Sequence, residues 1–167
     1  MLDDIPSLVA IENQSFSRGD YPIGKRQFKF LIENRRVKIF IATINGEAAG
    51  YVCLLMRNKT AVVYSIAVSE KHRGNGLGRK LLEAAERQAC KEMALIIRLE
   101  VSCTNRAVNL YKKHGYSKTG IIKDYYGAGA DAFSMFKQVA RQGGEEFEKI
   151  NTGRYGCNPA AASTASG

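Results

Sequence analysis

What the 167-residue sequence lacks narrows it first. No apolar run approaches the roughly 18 residues that a membrane span needs, and the acidic N-terminus carries no signal-peptide apolar stretch. There are two histidines and four cysteines. Cys53, Cys90, Cys103 and Cys157 form no CxxC pair and show no metal-ligand spacing, so no metal is expected. Neither histidine stands at a recognisable partner position for Cys103, which argues against a cysteine nucleophile. The expectation is a cytoplasmic protein with reduced, buried thiols and no membrane partner.

What is present suits one core: 45% of residues are apolar, and a single domain over 1–140 is the natural division. From 141 onward the chain turns to small and polar residues without periodicity, and 141–167 reads as a disordered tail. The formal charge is +9. In the tail Arg141, Lys149 and Arg154 balance Glu145, Glu146 and Glu148, so residues 1–140 carry the whole excess. A basic domain suits an anionic partner: a phosphorylated cofactor, a nucleic acid or an acidic peptide.

The period of the apolar residues gives the order of elements. MLDDIPSLVAIENQSF reads as a helix capped by Asp3 or Asp4, and a short helix follows at 25–34. VKIFIATI (37–44) is strand-like, and Asn45-Gly46 signals a hairpin into EAAGYVCLLM (47–56). AVVYSIAV (61–68) makes a third strand, 77–93 a helix, and LIIRLEV (95–101) a strand reached by a crossover that makes it parallel to the third. NRAVNLYKKHG is a short helix stopped by Gly115, and YSKTGII and DAFSMFKQV form a last hairpin. The fold class is therefore α+β: a mixed, mostly antiparallel sheet flanked by helices.

Between the third strand and its helix lies RGNGLG (73–78), with glycine at every second position. A tight turn alone would be served by one glycine. A dinucleotide fingerprint would need glycine where Arg79 stands, and a phosphate-binding Walker loop would need a GK[ST] that is missing. The remaining reading is a pyrophosphate cradle, in which helix-start N–H groups face an anion and the glycines let it approach. Lys71, Arg73, Arg79 and Lys80 add positive charge nearby.

At this point the chain resembles a known family. SIAVSEKHRGNGLGRKLLEAAE matches the R-x-x-G-x-G signature by which the GNAT N-acetyltransferases hold acetyl-coenzyme A, with Arg73, Gly76 and Gly78 in register. RLEVSCTNRAVNLYKKHGY resembles the family's second motif, Asn…Ala-x-x-Leu-Tyr-x-x-x-Gly-Phe, in the place the family requires. The resemblance spans 3–138 and is nearest to the bacterial ribosomal-protein alanine N-acetyltransferases. Two features differ. The family normally begins with a strand ahead of the first helix, and this sequence begins at that helix. Either that strand is missing, which would leave VKIFIATI as a bare edge open to a second copy of the chain, or it lies upstream of Met1. The stretch from Glu100 to Tyr111 is also one residue shorter than usual.

The resemblance implies direct acetyl transfer from acetyl-coenzyme A to an amine, foremost the N-terminal α-amino group of a protein. Backbone N–H groups of Ile66, Ala67 and Val68 would face the thioester. Arg73, Gly74, Asn75, Gly76, Leu77, Gly78 and Arg79 would hold the pyrophosphate, and Asn105 and Tyr111 the pantetheine arm. It assigns Glu100 as general base and Tyr111 as general acid, with Tyr64, Tyr125 and Tyr126 lining the acceptor groove. Each has a plainer alternative: an ion pair with Arg98 for Glu100, core packing beside Val108 and Leu110 for Tyr111, a helix cap for Asn105, and ordinary packing for the other tyrosines. At the level of function the alternatives are a lysine or small-amine acetyltransferase and a catalytically weak acyl-coenzyme A sensor. Nucleic-acid binding ranks below these, because no nucleic-acid motif accompanies the charge.

Overall fold

A computed structural model describes residues 2–16 and 22–139. The tail expected over 141–167 lies outside the described residues. After a 3₁₀ turn at Leu2–Asp4 the elements are α1 (Ile5–Ser15), α2 (Lys25–Glu33), β1 (Val37–Ile44), β2 (Glu47–Arg57) and β3 (Thr60–Val68), then α3 (Leu77–Lys91), β4 (Ile96–Ser102), α4 (Ala107–Lys113), β5 (Ser117–Ile122) and β6 (Ala132–Gln138). Every expected element is present. Among the described residues no helix is long and apolar enough to cross a membrane.

The strands form one sheet in the order β1-β2-β3-β4-β6-β5. The β3–β4 pair is parallel and the other neighbours are antiparallel. The β1–β2 turn places Asn45 and Gly46 both at positive φ (51° and 83°), as a two-residue hairpin demands. α3 ends earlier than its periodicity predicts. Met93, at φ 60°, takes the left-handed position usually held by glycine, and Ala94 N–H closes the end on the Ala89 carbonyl at 2.9 Å. No glycine marked that stop.

The helices cover opposite faces. α3 packs Leu81, Leu82, Ala85 and Ala89 on Val52, Leu54, Ile97 and Leu99, joined by Val108 and Tyr111 of α4. On the other face α1 and α2 pack Leu8, Ile11, Phe28 and Leu31 on Tyr51, Cys53 and Ala67. Cys53 is buried, and its thiol is pushed up to about 12 by desolvation and by nearby Glu12. The Cys90 and Cys103 thiols are half-buried. β1 has β2 as its single neighbour, so VKIFIATI stands at the sheet's edge among the described residues.

Candidate active site

β3 and β4 hydrogen-bond only over Thr60–Val62 and Ile96–Arg98, then part. A cleft of about 800 Å³ opens where they separate, reaching from α3 and α4 on one face to α1 and α2 on the other. A broader surface depression of about 990 Å³ lies between α1 and the β1–β2 turn. Of the residues singled out above for cofactor, acceptor or catalysis it holds Lys71 alone, so the narrower cleft is the candidate site.

Backbone donors line one side of it. Ser69 N–H bonds the Ala49 carbonyl at 2.9 Å, and along β3 bonded and non-bonded positions alternate. Ser65 and Ala67 therefore turn their N–H groups to β2, whereas Ile66 and Val68 turn theirs away from it, toward the gap. Of the three residues expected to face a thioester, Ile66 and Val68 have the geometry, and the Ala67 N–H belongs to the ladder.

The glycine loop divides in the same way. Gly74 (φ 80°) and Gly76 (φ 74°) adopt the left-handed conformation, and a Cβ on either would meet nothing within 4 Å. Gly76 caps α3 without any side-chain bond, so the first-turn N–H groups at Leu77, Gly78 and Arg79 have no side-chain cap. Gly78 differs: its Cβ would touch Leu110 at 3.5 Å and Val68 at 3.9 Å. Two glycines thus open space before a helix start, and the third stands where α3 meets α4, with room for a methyl at ordinary contact distance. Such a cradle fits a phosphate group. Asn75 is exposed on its rim.

Arg73 does more than add charge. Its Nε donates to the Val68 carbonyl at 3.1 Å, and its Nη2 donates to the Gln14 carbonyl at 3.2 Å and to Ser15 Oγ at 3.3 Å. The side chain ties the end of α1 to the end of β3 at the cleft border. Arg79 is paired with Glu83 at 2.9 Å on the exposed face of α3.

Glu100 alternates with the core residues Leu99 and Val101, so it points to the α1–α2 face of the sheet. Its side chain is 6% exposed, and Arg98 Nη1 lies 3.3 Å from Oε1. That contact is an ion pair without hydrogen-bond geometry, and Oε1 has no hydrogen-bond partner. Burial raises the carboxyl above the ordinary carboxylate range, while Arg98 and Arg57 pull it back. The Arg98 ion pair anticipated as the plainer role is present. A buried carboxylate with an unfilled oxygen on a cleft also suits a general base.

Tyr111, on α4, lines the cleft while packing edge-on to Tyr116 with centroids 5.9 Å apart. Burial, reinforced by Tyr126, pushes its phenol up, so it stays protonated at neutral pH. Asn105 lines the same wall, and its Oδ1 accepts from Ala107 N–H at 2.8 Å, the capping role foreseen as its alternative. Tyr64, Tyr125 and Tyr126 all reach the cleft. Tyr64 OH accepts from Gln27 Nε2 at 2.8 Å, Tyr126 OH donates to the Glu100 carbonyl at 3.3 Å, and Tyr125 packs edge-on to Tyr126.

Of the bordering residues that escaped the sequence reading, one is a buried acid. Glu12, on α1, is 1% exposed and lines the cleft from the α1–α2 side. Tyr51 and Ser65 both donate to its Oε1, the latter at 2.8 Å. In sequence Glu12 is one acidic residue on a helix, and only its position against apolar neighbours such as Ile11 hinted at burial.

The comparisons with known proteins agree with this geometry. Residues 5–116 match the model of the acetyltransferase (GNAT) family. An N-alpha-acetyltransferase of Sulfurisphaera tokodaii is 32% identical over 152 residues, covering 80% of this chain and 87% of its own. A candidate ribosomal protein bS18-alanine N-acetyltransferase of Bacillus subtilis is 35% identical over 142 residues, covering 83% and 91%. Among solved structures, the ribosomal-protein-S18-alanine N-acetyltransferase of Escherichia coli superposes with a TM-score of 0.76 at 26% identity, covering 88% of this chain and 94% of that one.

Proposed function

The chain belongs to the GNAT family of N-acetyltransferases, and we propose that it moves the acetyl group of acetyl-coenzyme A to the N-terminal α-amino group of a protein. The observation that carries the reading is the cleft itself, in which a buried carboxylate and a buried, protonated tyrosine border the place where β3 and β4 part. Acetyl-coenzyme A supplies the activated acetyl group and an anionic pyrophosphate.

In this reading the open turn at Gly74 and Gly76 and the start of α3 hold the pyrophosphate. The N–H groups of Ile66 and Val68 face the thioester carbonyl and stabilise the negative charge that forms on its oxygen. The amine enters from the α1–α2 face, where Glu100 points. As the new C–N bond forms and the C–S bond breaks, Glu100 accepts the proton lost by nitrogen. Tyr111 gives its proton to the departing sulfur. A phenol near pKa 10 is about 2 kcal/mol short of protonating a thiolate near 8.5 in water. Inside the cleft the desolvation that raises the phenol also raises the thiolate, so the gap does not widen in proportion.

The α-amino acceptor is favoured on two grounds. The similar proteins named above act on N-terminal amines by their names. At pH 7 an α-amino group of pKa near 8 is neutral in about one molecule in ten, whereas a lysine near 10.4 is neutral in about one in 2,500. A cytoplasmic location would give such an enzyme its acceptors. The test is coenzyme A release with acetyl-coenzyme A and two peptide sets, one with a free N-terminal alanine and one N-blocked with internal lysine. Release confined to the first set supports the reading, and release confined to the second overturns it.

A further inference from the structure

An acidic side chain that is 1% exposed yet borders a reaction cleft needs a reason for being buried there. Desolvation raises Glu12 above the ordinary range, and three hydrogen bonds oppose that rise. The donors come from three separate segments: the Tyr51 hydroxyl on β2, the Ser65 hydroxyl on β3, and the backbone N–H of Ile23 just ahead of α2. Tyr51 OH and Ser65 Oγ also lie 2.9 Å apart. If stability alone were at stake, apolar side chains would fill this space at lower cost.

Each donor adjoins a piece of the cleft's α1–α2 wall. The β2–β3 register slips between Cys53 and Leu54, so that Cys53 opposes Ser65 and Leu54 opposes Val63. Tyr64 is the extra residue of that bulge, and Ser65 follows it. Ile23 leads into α2, whose Gln27 donates to Tyr64 OH at 2.8 Å. Tyr51 packs edge-on against Phe28 of α2 at 5.4 Å. The chain of contacts closes on itself: Glu12 to Ser65, to the Tyr64 bulge, to Gln27 and α2, to Ile23, and back to Glu12.

We propose that Glu12 is a positioning residue for the acceptor, locking the Tyr64 bulge and the start of α2 into one wall that presents the incoming amine to Glu100. Its Oε1 already takes two hydroxyls, so it acts through that wall and not by touching the amine. The inference rests on the reading of this wall as the acceptor side. It goes beyond that reading in naming what holds the wall.

The experiment measures KM for each substrate separately, with a peptide bearing a free N-terminal alanine as acceptor. Glu12→Gln keeps the shape but turns one acceptor oxygen into a donor among donors. It should raise the acceptor KM about tenfold and leave the acetyl-coenzyme A KM within about twofold. Tyr51→Phe removes one of the three donors at a residue that does not border the cleft, and should raise the acceptor KM by a smaller factor in the same direction. If Glu12→Gln does not fold, Tyr51→Phe decides alone. An acceptor KM unchanged while the melting temperature falls overturns the proposal, as does an equal rise for both substrates. If the wild type acetylates lysine or a small amine instead, the N-terminal reading fails by itself, and the same pair of KM values measured with that amine still decides the role of Glu12.

Discussion

The two walls of the cleft are built from different kinds of information. The α3–α4 wall comes from one continuous stretch of chain, running from Ile66 through the glycine turn to Tyr111. The α1–α2 wall is held by bonds between distant residues: Gln27 to Tyr64, Glu12 to Tyr51, Glu12 to Ser65, and Arg73 back to Gln14. The first wall carries the open glycine turn proposed to hold the pyrophosphate, where Gly74 and Gly76 take a left-handed conformation that few residue types adopt. The second carries a shape that many side-chain sets could produce. On the proposed function, cofactor binding would be tied to a local motif, and acceptor choice to tertiary packing.

The largest effects should come from the two residues that bridge this division. Tyr111→Phe removes the proton donor and should lower kcat by about 10²–10⁴ with little change in acetyl-coenzyme A affinity. Glu100→Gln should lower kcat/KM and abolish its acidic limb. A general base works only when ionised, so activity is lost as pH falls through its folded pKa. Burial sets that pKa above the ordinary carboxylate range, and the limb should lie correspondingly higher. Steady-state rates across pH check both variants. Near-normal turnover in each would return Tyr111 to core packing and Glu100 to its ion pair.

Next come the glycines, where the α3–α4 wall can be taken apart residue by residue. Gly76→Ala forces an L side chain into a left-handed position, costing about 1–2 kcal/mol of stability, and places its methyl in the open cradle. Acetyl-coenzyme A affinity of the folded variant should fall about tenfold, or about 1.4 kcal/mol by calorimetric titration. Gly78→Ala puts its methyl against Leu110 and Val68 at ordinary contact distances. It should stabilise α3 by up to about 1 kcal/mol and leave affinity within about threefold. Equal losses in the two variants would mean that the turn's shape, and not its open space, is what the cofactor needs.

A smaller change should follow from Arg98→Met. Arg98 is the leading opponent of the burial that raises Glu100, at 3.3 Å and on the same face of β4. Without it the carboxyl should take up its proton at higher pH, moving the acidic limb of kcat/KM upward while the plateau stays. A limb that does not move would assign Arg98 to holding the strand and not to tuning the base.

The same division explains what was legible in the sequence. Strand and helix periods placed every element. The glycine spacing, with Glu100 and Tyr111 in their motifs, placed the α3–α4 wall and the cleft floor. Arg73 was legible as a charge but not as the latch between α1 and β3, because charge is a property of the residue and the latch depends on a fold 59 positions apart. Ala67 sat in the right segment, yet only the β2 register shows that its N–H is spent in the ladder. Glu12 and Ser65 were invisible for a related reason: the bond between them spans 53 positions.

The least effect is expected at the edge on which the α1–α2 wall rests. Met56 N–H bonds the Arg36 carbonyl at 2.8 Å, and counting along the register turns Lys38, Phe40 and Ala42 toward β2. Ile39 and Ile41 therefore direct their N–H and carbonyl groups outward, on a strand whose one charge, Lys38, is paired with Glu92. The opposite edge, β5, is exposed along most of its length, carries Lys118 and Gly120, and slips register between them, all of which discourage pairing. If the β1 edge recruits a second chain, light scattering should show association that grows with concentration. Ile41→Pro should abolish it, because proline there removes an outward donor and leaves the β1–β2 bonds intact. The melting temperature should fall by only a few degrees, since Ile41 is half-buried against the α1–α2 cluster. A wild type that stays monomeric at every concentration would show that this edge is protected without a partner, and the α1–α2 wall would then stand on a floor that needs no second copy to complete it.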